Sequence, residues 1–309
     1  MGKSRIGVVG AGHVGATTAR RLAELDIGDV LLSDIVEGMP QGKMLDMAES
    51  SPIEGFDSQL TGVNDNSELT DCDLVVITAG VPRKPGMSRK DLLEKNANIM
   101  TDVVEDVTEA SPEATLLVVS NPLDIMVQLA LKRSDFPENR VLGMAGVLDS
   151  IRFSYFISDE LDVSVKDVRA MVLGGHGDEM VPLPEYSSVN GIPVTELIDQ
   201  GRLEDLIERT RNAGGEIVDL LGDGSAFYAP SSAITAMAKS ILLDQNRIMP
   251  ACAYLQGEYG LEDICMGVPV KLGQEGVSEI VELDLPEQKR EALHESAETV
   301  RGGVEQLGI

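Results

Sequence analysis

Two patterns of apolar and polar positions divide this chain. Up to about residue 148, short β-branched runs alternate with stretches of helical period. Strands are predicted at residues 5–9, 29–33, 59–63, 73–78, 115–120 and 141–144, and helices at 14–25, 42–49 and 91–110. The runs at 73–78 (DLVVIT) and 115–120 (TLLVVS) are almost wholly apolar, as in strands covered on both faces. Strands alternating with crossover helices build a parallel sheet with right-handed connections.

Beyond about residue 149 the pattern changes. A helix is predicted at 150–161, then strands near 168–173, 180–182 and 188–189, with turns at Gly174-Gly175 and Asn190-Gly191. Helices follow at 203–221 and 231–243, antiparallel strands at 251–256, 267–272 and 277–280, and a last helix at 286–307. The expected fold is α/β: an N-terminal Rossmann-type, doubly wound parallel sheet (1–148) and a C-terminal α+β substrate domain (149–309). No low-complexity linker separates them. The halves should therefore share a broad interface, with the site in a cleft along it.

Composition narrows the class. The chain has 309 residues, 52 acidic and 25 basic, with 43 % hydrophobic residues and a formal net charge of -27. That apolar content supports a large core, and the acid excess is spread over both halves. Such a surface repels nucleic acid and anionic lipid. It fits an ordinary acidic protein or one adapted to high salt, where screening removes self-repulsion. Cys72, Cys252 and Cys265 form no CxxC and read as reduced core thiols of a cytoplasmic protein. The histidines and cysteines show no metal-site spacing, so no metal is expected. No apolar run approaches the roughly 20 residues that span a bilayer.

Against that acidity, the stretch Gly80-Val-Pro-Arg-Lys-Pro-Gly-Met-Ser-Arg89 stands out. It places Arg83 and Arg89 on a loop punctuated by glycine and proline. Two guanidinium groups there suit an anion with more than one carboxylate.

The candidate chemistry begins after the first strand. Gly10-Ala11-Gly12-His13-Val14-Gly15 forms GxGxxG: Gly10 for the tight turn, Gly12 for approach of a pyrophosphate, Gly15 for helix-on-strand packing. The helix N-terminus adds free N–H groups and positive partial charge. Asp34 ends the second strand, where it can accept from both ribose hydroxyls and repel a 2′-phosphate, which favours NAD over NADP. Read alone, the turn is a glycine turn and Asp34 a helix cap.

His176 lies in Gly174-Gly-His-Gly-Asp178, just after a predicted strand and open on both sides. Asp149 and Arg152 are three apart at a helix start and share a face. An aspartate that accepts from an imidazole fixes its tautomer and stabilises the protonated ring, and an arginine grips a carboxylate bidentately. Spacing alone does not bring His176 to Asp149; an N-cap and a surface ion pair remain alternatives. His294 sits on a charged helical face and is expected to be solvated.

These motifs, with Ser120-Asn121-Pro122, Gly146-Val-Leu-Asp149 and the GGHGDEMVPLP run, resemble the malate dehydrogenases of the lactate-dehydrogenase-like type, within the lactate/malate dehydrogenase family. The resemblance covers nearly the whole chain. It implies NAD as cofactor and hydride transfer between the nicotinamide and C2 of malate or oxaloacetate, of the tricarboxylic acid cycle type. It implies that His176 carries the proton with Asp149 as partner. Arg152 would bind the C1 carboxylate, Arg89 polarise the carbonyl, Asn121 contact substrate and nicotinamide, and Asn96 and the backbone of Val119, Ser120 and Asn121 line the cofactor. Ala11, His13 and Val14 belong to the cofactor turn. The resemblance also implies a homodimer or homotetramer, with the helix at 41–49 as a contact.

Arg83 separates the substrates. Lactate enzymes usually carry glutamine there, whereas arginine pairs with the second carboxylate of oxaloacetate. Ala229-Pro230 departs from the Tyr-Thr of lactate enzymes and leans the same way. The other readings are an L-lactate dehydrogenase and a catalytically silent NAD-binding sensor; the second would be expected to have lost His176, Asp149 or Arg152.

Overall fold

The computed structural model describes residues 3–81 and 88–309, and Arg89 by its backbone alone. In chain order the first half contains β1 (Ser4–Val9), α1 (His13–Glu24), β2 (Gly28–Ser33), α2 (Met39–Glu54), β3 (Leu60–Val63), β4 (Leu74–Ile77), α3 (Arg89–Ala110), β5 (Thr115–Val118), α4 (Leu123–Ser134) and β6 (Val141–Gly143). The second contains α5 (Gly146–Leu161), β7 (Val168–Arg169), β8 (Val172–Gly174), β9 (Met180–Pro182), β10 (Ser188–Val189), β11 (Ile192–Pro193), α6 (Val194–Leu197), α7 (Gln200–Leu221), α8 (Tyr228–Leu242), β12 (Arg247–Gln256), β13 (Glu262–Gly273), β14 (Gly276–Ile280) and α9 (Glu287–Leu307).

Six parallel strands lie in the order β3-β2-β1-β4-β5-β6, the doubly wound arrangement expected from the alternating pattern. β4 and β5 are buried at every position, which explains their unbroken apolar runs. The order reverses between β1 and β4, and a ligand crevice opens at the carboxyl ends of strands at such a switch point. The sheet does not stop at β6. Cys252 of β12 pairs antiparallel with Gly143, and β13 and β14 continue outward, giving nine strands among the described residues. The broad interface between the halves is thus partly a continuous hydrogen-bonded sheet.

Several elements differ from the sequence reading. α4 was not expected: its buried residues, Leu123 to Leu131 with few gaps, surround the helix and erase the one-sided stripe. α2 extends to Glu54, because Pro52 sits in the last turn and the stop comes at Gly55, with φ 82°. The single strand predicted at 168–173 is two. Val168–Arg169 pairs with β10 and Val172–Gly174 with β9, so the chain changes sheets at Ala170-Met171. β13 begins at Glu262 rather than 267. α3 begins at Arg89 through a capping box in which the Ser88 side chain accepts from Asp91 N–H and Asp91 accepts from Ser88 N–H. His294 is not solvated: it is half-buried, with Nε2 2.8 Å from the Tyr259 carbonyl. The three cysteines are free and buried, as expected. Asn190 (φ 48°) and Gly191 (φ 86°) make the tight turn between β10 and β11.

Candidate active site

The glycine turn leaves β1 at the switch point. Gly10 takes φ 99°, a conformation that favours glycine, and its N–H donates to the Ser33 carbonyl at 2.8 Å. A methyl at Gly15 would stand 1.9 Å from the Gly10 carbonyl oxygen, so α1 lies directly on the turn. The loss of freedom that glycine accepts here is set by packing. Gly12 differs, because a Cβ there meets nothing within 4 Å. The turn is therefore packed behind and open in front.

Asp34 follows β2 and is tied to that turn. Its Oδ2 accepts from Ala11 N–H at 2.7 Å and its Oδ1 from Val36 N–H at 2.9 Å. These bonds orient the carboxylate and leave further lone pairs on each oxygen. Lys43 Nζ donates to the Ala11 carbonyl. An open glycine turn at a helix N-terminus, flanked by an oriented carboxylate, fits the pyrophosphate and ribose of a dinucleotide.

Asn96 and Ser120 stand behind this region. Asn96 Nδ2 donates to the Asn121 carbonyl at 2.8 Å and to the Val81 carbonyl at 3.3 Å, and its Oδ1 accepts from Val81 N–H at 2.9 Å. It is 4 % exposed, so its amide binds two loops together. Ser120 Oγ, also buried, donates to the carbonyls of Ala79 and Ile77.

A cleft of about 430 Å³ runs between the halves. Val14, Val119, Asn121 and Met144 line it from the first half, and Leu148, Arg152, His176 and Met180 from the second. Gly214 and Gly215, inside α7, form part of the wall; a Cβ on Gly214 would lie 3.8 Å from Arg152 Nη2. Small residues there leave the guanidinium room.

His176 Nδ1 lies 2.9 Å from Asp149 Oδ2, so the pairing that spacing left open is present. Asp149, 2 % exposed, turns Oδ1 towards Arg152 Nη1 at 3.3 Å. Arg152 Nε is buried with no hydrogen-bond partner among the described residues. Burial pushes the His176 pKa down, but the charge and hydrogen bond of Asp149, helped by Asp124, raise it above the ordinary imidazole value overall. The arrangement suits a group that exchanges a proton near neutral pH beside a cation that holds an anion.

Sequence reading missed Asp124. Its Oδ2 accepts from His176 N–H at 2.8 Å, its Oδ1 is buried with no oxygen or nitrogen partner among the described residues, and burial raises its pKa. In sequence nothing marks it; in the structure it is an acid in the first turn of α4. Arg83, Pro82, Pro85 and Gly86 fall outside the described residues, as does the Arg89 side chain. Among the described residues no group of His, Cys, Asp and Glu is arranged to hold a metal ion.

Comparison with known proteins matches this architecture. The NAD binding domain model of lactate/malate dehydrogenase covers residues 4–143, and the family's alpha/beta C-terminal domain model covers 146–307. Malate dehydrogenase of Methanosarcina barkeri is 52 % identical over 99 % of this chain and 100 % of its own length. The solved malate dehydrogenase of Salinibacter ruber superposes with a TM-score of 0.95 at 52 % identity, covering 98 % of this chain and 97 % of that one. A lactate dehydrogenase from Cryptosporidium parvum, solved with lactic acid and nicotinamide adenine dinucleotide, also reaches 0.95, at 39 % identity over 100 % and 99 %. With both domain models matched in order along the chain, this protein belongs to the lactate/malate dehydrogenase family.

Proposed function

We propose that this protein is an NAD-dependent malate dehydrogenase that interconverts malate and oxaloacetate. The observation that supports this best is the His176–Asp149–Arg152 constellation, facing a cleft beside the glycine turn. NAD, when bound, supplies the hydride acceptor and donor. The chain's own groups do the rest. His176 Nε2, the ring nitrogen that does not face Asp149, takes the hydroxyl proton in oxidation and returns it in reduction. Asp149 keeps Nδ1 protonated and stabilises the imidazolium. Arg152 holds the C1 carboxylate, and Asn121 touches substrate and nicotinamide. Arg89 polarises the carbonyl, and Arg83 pairs with the second carboxylate. Gly10, Gly12, Gly15 and Asp34 seat the dinucleotide, and the units 1–148 and 149–309 divide the two tasks.

The fold does not separate malate from lactate enzymes, since members of both superpose equally well. Substrate choice rests on Arg83. A guanidinium left unpaired in a closed site costs several-fold to many-fold in turnover of the wrong ketoacid. NADH consumption, followed by absorbance, should be fast with oxaloacetate and slow with pyruvate. Arg83→Gln should reverse that order; a variant that keeps the parent's preference would remove Arg83 from the argument.

A homodimer or homotetramer belongs to the same proposal. Leu45 and Ile53 of α2 are 62 % and 89 % exposed, and Ile151, Tyr155 and Leu220 line an apolar groove between α5 and α7. Equilibrium sedimentation reads the assembly directly. No helix among the described residues is long and apolar enough to cross a membrane. A cytoplasmic role in the tricarboxylic acid cycle is the setting this activity suits.

A further inference from the structure

We infer that a ring stack between His13 and Phe227 controls how long the dinucleotide stays bound. The inference rests on reading the glycine turn and its cleft as the dinucleotide site. His13 opens α1 immediately after Gly12, and Phe227 is the residue before α8. Their ring centroids lie 5.0 Å apart with an interplanar angle of 25°, a stacked geometry within the range of attractive aromatic pairs.

The placement of the pair gives it a task. Val14, next to His13, lines the catalytic cleft from the first half of the chain. Ser225 and Ala226, just before Phe227, line it from the second. The segment before them turns through Gly222 (φ 69°) and Gly224 (φ 96°), and residues 221–225 are all exposed. Among the described residues, no hydrogen bond ties residues 223–226 to the glycine turn. This wall of the cleft therefore has little of its own to hold it.

It is fastened at its two ends differently. At one end it continues from α7. At the other, α8 packs along α1, where Arg21 Nε donates to Ser231 Oγ at 3.2 Å. That bond lies eight residues beyond His13, about 12 Å along the helix. The His13–Phe227 stack is a contact at the cleft end of the same seam. Tyr228, with its ring centroid 4.1 Å from that of Phe227, braces the second ring from its other neighbour. A dinucleotide lying from Asp34 to His176 passes the glycine turn beside this stack. While the rings are together the 225–226 wall stays close to the turn; when they part the wall can move outward and the cofactor can leave.

The test is release of NADH, followed by its fluorescence in stopped flow, from the full-length enzyme. Phe227→Leu keeps an apolar side chain and removes the ring; His13→Gln removes the other ring. Each should speed release by about twofold to tenfold, the range an aromatic pair supports. The double variant should release no faster than the faster single one, because either change alone already breaks the stack. His13→Phe, which keeps a ring at that position, should release as slowly as the parent. If Phe227 only filled space beside Tyr228, Phe227→Leu would lower the melting temperature and leave release unchanged, and the proposal would be overturned. Strictly additive effects of the two changes would overturn it too. An unaltered protein that bound no NADH would overturn the dinucleotide reading itself, and this inference with it.

Discussion

Asp149 gives one carboxylate oxygen to His176, at 2.9 Å, and keeps the other for Arg152, at 3.3 Å. One buried acid thereby orients both the imidazole and the guanidinium, the groups proposed above as proton carrier and anion clamp. The price of burying its charge is offset by those two partners together, which is why the three residues act as a unit.

The first consequence is in the pH profile. The His176 pKa is raised because Asp149 and Asp124 outweigh the effect of burial. Reduction of oxaloacetate needs the imidazolium, so its rate should persist above the ordinary value of about 6.5 and fall only as pH rises through the raised pKa. Oxidation of malate needs the neutral ring and should rise over the same interval. The stability linkage has the same sign: the contribution from a raised histidine is complete below about pH 6.5 and is lost as pH climbs through the folded-state value. Rate profiles in both directions, with thermal melts at each pH, check this. A reduction limb at or below the ordinary value would contradict it.

Asp149→Asn should be far more damaging than its size suggests. The amide keeps the shape but removes the charge that stabilises the imidazolium and pairs with Arg152. Turnover should drop by about 10² to 10⁴, the usual range for an acid–base group. The reduction limb should also move to lower pH. A loss confined to KM, with kcat intact, would mean that Asp149 serves Arg152 alone.

Asp124 acts at one remove, through the backbone of the loop that carries His176. Asp124→Asn retains an acceptor for the His176 N–H and removes a nearby negative charge. It should lower the pH of the reduction limb while leaving the fold largely intact. Asp124→Ala removes the acceptor as well and should also cost about 1–3 kcal/mol of stability, the cost of an unmet buried donor. If the two variants gave the same pH profile as the parent, Asp124 would be a packing residue only.

The contrast between Asp124 and Asp149 shows what a sequence can display. Asp149 and Arg152 share a helical face, and His176 sits among glycines, so each is visible as local pattern. Their meeting is tertiary, and only the resemblance to a family pointed to it. Asp124 has no local mark, because its importance lies in a bond to a backbone N–H 52 positions away. The same holds for elements. β4 and β5 were legible because strands buried on both faces read as unbroken apolar runs, but α4, buried nearly all round, loses the periodicity that marks a helix. The join of β6 to β12 was hidden for a related reason: an edge-to-edge pairing between Gly143 and Cys252 leaves no signature in either strand.

The acid excess of the sequence predicts a response to salt. With 52 acidic and 25 basic residues, self-repulsion destabilises the folded chain at low ionic strength. Molar KCl shortens the screening length to about 3 Å and should raise the melting temperature. Activity should be retained or increased under the same conditions. Steep inactivation between about 0.1 and 1 M KCl would instead show that the charge is incidental.

Gly12 and Gly15 lie in one motif but should fail in different ways. A methyl at Gly15 would press on the backbone carbonyl of Gly10 at 1.9 Å, and backbone cannot swing aside as a flexible side chain would. Gly15→Ala should therefore displace α1 from the turn, lowering thermal stability as well as NADH affinity. At Gly12 the same methyl meets no protein atom within 4 Å. Gly12→Ala should melt close to the parent while binding NADH at least about tenfold more weakly, because the methyl occupies the approach of the pyrophosphate. Melting curves and fluorescence titrations on the two variants separate the roles. If Gly12→Ala bound NADH as tightly as the parent, the pyrophosphate would have to lie elsewhere, and the glycine turn would be a structural corner only.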